Sequence, residues 1–241
     1  MPWGASDRAF FIVLIAFLSL VGFSFAYDLT SDTADLSEAP YPTWGLMTVL
    51  ALEFGTFLAV AFILGPFKHR VHISMLGFGL WPSDYGNSGT NGFPFQSRMI
   101  LVALFALISI NISWTLLIHA LSWDLLPVPE YPFIDKSAGV LFLSMMAFFV
   151  VVVGPFAEEV FFRGYILPGL AHKAGTAGSL IISSMIFGFA HVTLSTVIPT
   201  FVMGLVLGLL YLRTRSVLSC TIAHGIVNGM AFMGLVMVGG S

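Results

Sequence analysis

The chain has 241 residues, of which 58% are hydrophobic and only 9% are charged. This composition is typical of a polytopic membrane protein and not of a soluble domain with a large core. The formal net charge is −3, and no basic stripe is present to meet phosphates, which excludes a nucleic-acid partner. A single cysteine, Cys220, excludes a disulfide framework and a cysteine-based metal site. The fold must therefore be held together by helix packing.

Hydropathy along the chain predicts an all-α bundle of about seven membrane spans. Their approximate bounds are Phe10–Tyr27, Trp44–Phe67, Met99–Leu121, Gly139–Leu170, Ala177–Leu194, Thr196–Leu212 and Val217–Val238. We expect the first to be a retained helix, because no small-residue cleavage site follows it. At about 1.5 Å per residue the fourth would extend roughly 48 Å, against about 30 Å of hydrocarbon. That span is therefore expected to tilt, or to bend at Gly154-Pro155.

The charged residues between the spans predict the orientation of the chain. Lysines and arginines gather on one side, namely Arg8, Lys68, Arg70, Arg98, Lys173, Arg213 and Arg215. The other side carries Lys136 alone, among Asp28, Asp32, Asp35, Glu38, Asp124, Glu130 and Asp135. By the positive-inside rule, the N-terminus is cytoplasmic. Seven crossings then place the C-terminus on the far side of the membrane.

The fourth predicted span carries three charged residues in an otherwise apolar run: Glu158, Glu159 and Arg163. Each charge near the centre of a membrane helix costs roughly 2.5 to 3.5 kcal/mol, so the three require a compensating structure. Glu159 and Arg163 are four residues apart, on one helix face, and are expected to pair. Glu158 points about 100° away from that pair. The carboxylate of Glu159 is thus neutralised, whereas the carboxylate of Glu158 remains available for chemistry.

Two later spans also carry polar side chains where apolar ones would be expected. The fifth contains His191, and the seventh contains His224 and Asn228, which share a helix face. Intramembrane ionisable groups usually face the interior of the bundle. We therefore expect these residues and the glutamates to line one polar cavity within the membrane.

Three short patterns, each on a predicted span, together resemble the motifs of the CPBP (Abi) family of intramembrane proteases, relatives of the type II CAAX prenyl endopeptidase. They are Glu158-Glu159-x-x-x-Arg163, Phe187-x-x-x-His191 and His224-x-x-x-Asn228. The resemblance covers roughly Gly154 to Gly229. It implies a multi-helix membrane protease of the glutamic type that acts on a membrane-associated protein or peptide. The substrate itself does not follow from the resemblance.

The resemblance also implies roles for the site residues. Glu158 and His191 would activate a water, and His224 with Asn228 would stabilise the oxyanion. This agrees with the general needs of peptide hydrolysis, which are a base for water and donors for the developing charge. No cofactor is expected. The expected organisation is one integral membrane domain over 1–241, with N-terminal helices in 1–121 and the catalytic bundle in 139–238, in a bacterial inner membrane.

Two other protease mechanisms are compatible with the residue types. A zinc enzyme could use Glu158, His191 and His224 as ligands, with water in the fourth place, although no HExxH pattern is present. A cysteine protease could use Cys220 with His224 and Asn228. Those three would stack along one helix, where they converge poorly on a single carbonyl.

A proton-coupled transporter is an alternative from a different functional class, since it also buries carboxylates and histidines at mid-membrane. Glu53 is the informative residue here, because the protease motifs leave it unexplained. His119 of the third span is a candidate partner for it. Against a transporter, the two halves of the chain show no inverted repeat.

Overall fold

The structure is a computed structural model that describes residues 3–4, 7–30, 43–78, 93–121, 139–191 and 194–238. All of the regular elements within these residues are helical. The α-helices are α1 (Arg8–Thr30), α2 (Thr43–Phe62), α3 (Phe93–Leu121), α4 (Val140–Phe148), α5 (Gly154–Glu159), α6 (Leu167–Phe189), α7 (Leu194–Thr214) and α8 (Val217–Val238). The predicted all-α class is therefore confirmed.

Five helices within the described residues are long and apolar enough to cross a membrane. They are Met47–Phe67, Phe95–Leu121, Val140–Phe189, Ser195–Thr214 and Val217–Met237. A shorter apolar stretch, Arg8–Ser19, lies in α1. By length and composition, the chain is an integral membrane protein. Two of the seven predicted spans join in the run Val140–Phe189, and the first predicted span corresponds to α1, which carries the stretch Arg8–Ser19.

That run, Val140–Phe189, is 50 residues long and turns back on itself. Gly175 has φ 66° and ψ 177°, which are not helical values, and glycine adopts positive φ without a steric penalty. The ring centroids of Phe162 and Phe187 lie 5.1 Å apart, although a straight helix would separate these residues by about 37 Å. The run therefore contains two antiparallel limbs, which correspond to the predicted fourth and fifth spans.

Three π-helical turns interrupt the helices, and each lies beside a proline. They are Ile63–Phe67, Phe149–Val153 and Val160–Ile166. Pro66 lies inside the first, and Pro155 and Pro168 stand at the start of the α-helices that follow the other two. Proline lacks an N–H and crowds the preceding turn, so a helix that continues through it is distorted there. A π-helical turn, Phe149–Val153, thus directly precedes Gly154-Pro155, where a bend is one of two expectations, while Gly154 keeps helical dihedral angles.

The π-helical turn Val160–Ile166 is the centre of the core, and all 7 of its residues are buried. Gly164 allows the main chain of a neighbouring segment to come close, since a Cβ at this position would lie 2.7 Å from the carbonyl oxygen of Leu76. On another side, Phe161 stacks on Phe57 of α2 with ring centroids 4.9 Å apart. The segment that directly follows the two glutamates is therefore packed from several directions.

Polar groups from distant parts of the chain meet at one end of the bundle. Asp7 accepts hydrogen bonds from Lys68 and, at 2.7 Å, from the ring of His69. At the start of α8, the N–H of Val217 donates to the carbonyl oxygen of Gly77 at 2.8 Å. The start of α1, the segment after α2 and the connection between α7 and α8 thus share one end, as the predicted grouping of cytoplasmic loops requires.

The first prediction concerns Asp7 at this end. Burial raises the pKa of Asp7, but hydrogen bonds from Lys68, the Ala9 amide and His69 outweigh it, so the pKa lies below its ordinary value of 3.8. A carboxyl group whose pKa is lowered by folding stabilises the protein above its unfolded pKa, and this contribution is lost as the pH falls through the folded value. We expect Asp7→Asn to lower the unfolding temperature at pH 7.

The measurement is thermal unfolding of both proteins in detergent micelles between pH 7 and about pH 3. The difference between wild type and Asp7→Asn should shrink as the pH falls below the ordinary pKa of aspartate. A difference that stays constant over this range would show that the carboxylate charge is not what stabilises this end.

Candidate active site

The buried carboxylate of Glu159 is the meeting point of the site. Its Oε1 accepts a hydrogen bond from Nη1 of Arg163 at 2.9 Å and lies 3.0 Å from Nδ1 of His224. All three side chains are at most 3% exposed. The ion pair predicted from the four-residue spacing is therefore present, and His224 from α8 joins it, which the spacing alone could not show.

Arg163 is fixed by contacts on several sides. In addition to its bond with Glu159, its Nη2 donates to the carbonyl oxygen of Gly204 in α7 at 3.2 Å. The guanidinium carbon lies 4.4 Å from the centre of the Phe187 ring, a distance at which a cation–π attraction is favourable. Arg163 thus connects its own π-helical turn with α6 and α7 around Glu159.

Glu159 determines which nitrogen of His224 carries a proton. An ionised carboxylate can only accept hydrogen bonds, so Nδ1 of His224 is the donor. The other ring nitrogen, Nε2, lies 3.9 Å from Oε2 of Glu158. That oxygen has no hydrogen-bond partner in the described part of the chain. Glu158 is therefore left with a free carboxylate oxygen that faces the one side of His224 not held by Glu159.

His191 lies in the turn after α6, past the end of the helix and not inside a span as the sequence predicted. The two limbs are antiparallel and meet at Phe162 and Phe187, so Glu158 and His191 lie at a similar level along them. Nδ1 of His191 lies 2.9 Å from the carbonyl oxygen of Phe187. Because a carbonyl accepts, Nδ1 is the protonated nitrogen and Nε2 is free to accept a proton.

The ring of Phe187 stands beside both histidines. Its centroid is 4.9 Å from that of His191 and 5.8 Å from that of His224. No hydrogen bond or ion pair joins His191 to Glu158 within the described residues. The structure thus brings the predicted water-activating pair to the same region but leaves the two side chains out of direct contact.

Asn228 donates from Nδ2 to the carbonyl oxygen of Val150 at 3.1 Å. Pro155 explains why this carbonyl is available. In the π-helical turn the N–H of Gly154 bonds to the carbonyl of Phe149, and the next bond in that register would need an N–H on residue 155, which proline lacks. The bond orients the Asn228 amide and uses one of its two hydrogens, so the second remains available for another acceptor.

The structure also bears on the alternative protease mechanisms. Cys220 is fully buried and its thiol lies 3.4 Å from the carbonyl oxygen of Leu207, so it cannot reach a substrate. Among the described residues, no group of three histidine, cysteine, aspartate or glutamate side chains could hold a metal ion. Glu158, His191 and His224 do not form such a group among these residues.

For the transporter alternative, the expected partner of Glu53 is not in place. Glu53 and His119 are both exposed, and no ion pair joins them among the residues that the structure describes. Glu53 instead lies close enough to Glu158 for the two carboxylates to interact electrostatically.

Sequence reasoning missed two main-chain partners of the site, the carbonyl groups of Val150 and Gly204. Pro155 was a usable signal for the first, because a proline inside a helix always leaves an earlier carbonyl without its partner. The second had no sequence signal, since any residue of a neighbouring helix presents a carbonyl and only the packing of α7 decides which one meets Arg163.

Comparison with known proteins concerns the same part of the chain. Residues 140–230 match the family model described as "Type II CAAX prenyl endopeptidase Rce1-like". This segment resembles that family. A curated relative, "Putative membrane peptidase YdiL" of Bacillus subtilis (strain 168), is 35% identical over 77 residues, which are 32% of this chain and 32% of the relative. No solved structure matches the chain.

The resemblance that the three motifs predicted is thus confirmed for residues 140–230. All six predicted site residues fall inside the matched segment, whereas α1, α2 and α3 lie outside it. The chain spans about a third of the length of the curated relative that it matches. The similarity therefore concerns the helices that carry the site.

The second prediction tests the buried ion pair. Removal of one partner leaves an uncompensated buried charge, which typically costs about 3 to 5 kcal/mol. We therefore expect Glu159→Ala and Arg163→Ala each to lower the stability of the protein strongly. Glu158→Ala is the matched control, because Glu158 has no arginine partner and its contact with His224 is 3.9 Å long, so its loss should lower stability much less.

The measurement is the midpoint of unfolding in mixed micelles with increasing denaturing detergent. If Glu159→Ala unfolded at the same midpoint as Glu158→Ala, the ion pair would not support the fold as described.

Proposed function

We propose that this chain is an intramembrane endopeptidase that hydrolyses a peptide bond of a membrane-associated protein or peptide. The proposal rests mainly on the contacts of Glu159, whose carboxylate binds both Arg163 and Nδ1 of His224. This arrangement leaves Nε2 of His224 3.9 Å from a free carboxylate oxygen of Glu158. The match of residues 140–230 to a prenyl endopeptidase family model supports the same conclusion.

In the proposed first step, a water attacks the carbonyl carbon of the scissile bond while its proton passes to a base. Glu158 has an unpaired carboxylate oxygen, and Nε2 of His191 is free to accept because Nδ1 faces a main-chain carbonyl. We assign the proton transfer to Glu158, while Nε2 of His191 accepts a hydrogen bond from the same water, which would lie between the two side chains. The absence of a direct bond between the two side chains fits this arrangement.

The attack converts the carbonyl oxygen into an oxyanion, which requires hydrogen-bond donors. We assign this role to the second amide hydrogen of Asn228 and to His224, whose Nε2 donates when the ring is protonated. Glu159 holds the orientation of this ring through the contact with Nδ1. In the last step the C–N bond breaks, and the proton held by Glu158 passes to the leaving amine, which restores the carboxylate.

The setting that we propose follows the sequence analysis. The substrate is a membrane-anchored or lipidated protein or peptide, and no cofactor takes part. The catalytic bundle comprises 139–238, and the helices in 1–121 complete a single domain. The N-terminus faces the cytoplasm of a bacterial inner membrane and the C-terminus lies on the far side, which agrees with the grouping of Asp7, Lys68 and Gly77 at one end of the bundle.

The third prediction concerns the water-activating residues. Glu158→Gln and His191→Ala should each abolish cleavage, while the unfolding midpoint stays close to that of the wild type. The reason is that neither side chain carries a structural ion pair like that of Glu159. The assay uses purified protein in liposomes with a pool of membrane-anchored peptides, and mass spectrometry detects new fragments.

Cys220→Ala is the matched control, because it alters a polar atom on α8 that is sealed from the site. It should cleave as the wild type does. Full cleavage by Glu158→Gln would contradict the glutamate mechanism.

The fourth prediction separates the oxyanion donors from substrate binding. Asn228→Ala should lower kcat by about 10² to 10³ with little change in KM, because the donor acts mainly in the transition state. Asn228→Asp should be worse, since it places a negative acceptor where a donor is needed. The double variant with His224→Ala should lose less than the product of the single effects, as groups that serve one oxygen are not additive.

Steady-state kinetics on one quenched peptide in lipid provide the measurement. An Asn228→Ala enzyme with unchanged kcat and a raised KM would assign this residue to substrate binding instead.

A further inference from the structure

Glu53 is a charged residue of the described spans that the proposed mechanism does not use. It lies near the middle of α2 (Thr43–Phe62) with apolar neighbours on both sides. Its side chain is exposed, and none of the hydrogen bonds or ion pairs of the described chain includes it. An unpaired carboxylate within a membrane span is unfavourable, and no residue of the described chain offsets it.

The packing of α2 shows where Glu53 lies. A Cβ at Gly154 would be 2.8 Å from Cζ of Phe54, and the rings of Phe57 and Phe161 are stacked 4.9 Å apart. From the first contact to the second, the residue number increases in both segments, so α2 runs parallel to residues 154–161. Glu53 is one turn before Phe57 on the same face. The Phe57–Phe161 contact places Glu53 level with the turn that carries Glu158, and the Phe54–Gly154 contact places it about one turn before.

The charges around Glu158 leave the carboxylate of Glu53 without a cation. The groups whose charges act on Glu158 are His224, Glu159, Glu53 and Arg163. Arg163 is already bonded to Glu159, and His224 faces both members of the glutamate pair. The α2 side of the site therefore presents negative charge that no described side chain balances.

We propose that Glu53 is a specificity-determining residue, which binds a lysine or arginine side chain next to the scissile bond of the substrate. A basic side chain supplies the missing cation, and its long aliphatic stem suits the apolar surroundings on α2. A peptide main chain offers the same N–H groups in every sequence, so it would not select one substrate over another. This inference rests on the proposed peptidase function and names the kind of substrate that the same site accepts.

The test uses a pool of synthetic peptides with one apolar membrane anchor, in which each residue near the cleavage site is in turn lysine, norleucine or glutamate. Norleucine keeps the aliphatic stem of lysine and removes its charge. Wild type, Glu53→Gln and Glu53→Lys are compared in liposomes, and Glu158→Gln measures background. Thr56→Ala is the matched control, because Thr56 is exposed on the same helix and its hydroxyl bonds only to Leu52 of its own helix.

We expect the wild type and Thr56→Ala to prefer one lysine position over norleucine by about tenfold in kcat/KM, mainly through a lower KM. Glu53→Gln should lose this preference, and Glu53→Lys should favour glutamate at the same position. A structural role of Glu53 would lower cleavage of all peptides alike and would not reverse the preference.

Two results would contradict different parts of the argument. If the wild type cleaves peptides in a Glu158-dependent way, but its preferences are the same as those of Glu53→Gln, the role of Glu53 is overturned while the peptidase function stands. If no peptide of the pool is cleaved in a Glu158-dependent way, the proposed peptidase function itself is contradicted.

Discussion

The site depends on one fully buried carboxylate, Glu159, which binds Arg163 and His224 through the same oxygen. A buried charge is tolerated only when its partners are placed well, and removal of one partner is more costly than replacement of all of them. Because the partners come from the π-helical turn after α5 and from α8, this one group sets the spacing of two helices. It also sets the ring orientation of His224, and with it the approach to Glu158.

The helix distortions serve the same arrangement. Pro155 removes the N–H that the carbonyl of Val150 would have bonded, and Asn228 of α8 takes its place. The close approach that this needs is provided by Gly225, where a Cβ would lie 2.5 Å from the carbonyl oxygen of Val151. A helix distortion and a glycine on the facing helix thus together orient a side chain of the proposed oxyanion site.

The N-terminal helices fall outside the matched family segment, yet the structure connects them to it. Trp3 donates from Nε1 to the carbonyl oxygen of Tyr165 at 3.2 Å, and Phe57 stacks on Phe161. Both contacts reach the π-helical turn that carries Arg163. The segment that resembles a protease family is therefore packed against parts of the chain that lie outside the family match.

The sequence by itself determined the helical class, the pairing of Glu159 with Arg163 and the three motifs, because these follow from hydropathy and from spacing along one helix. It did not determine the reversal at Gly175, the end of α6 before His191 or the bond between His224 and Glu159. Those features depend on which helices pack together, and residues far apart in the chain leave no periodic signal of their contact. Only the tertiary structure could decide that the second glutamate, and not the first, holds the histidine of α8.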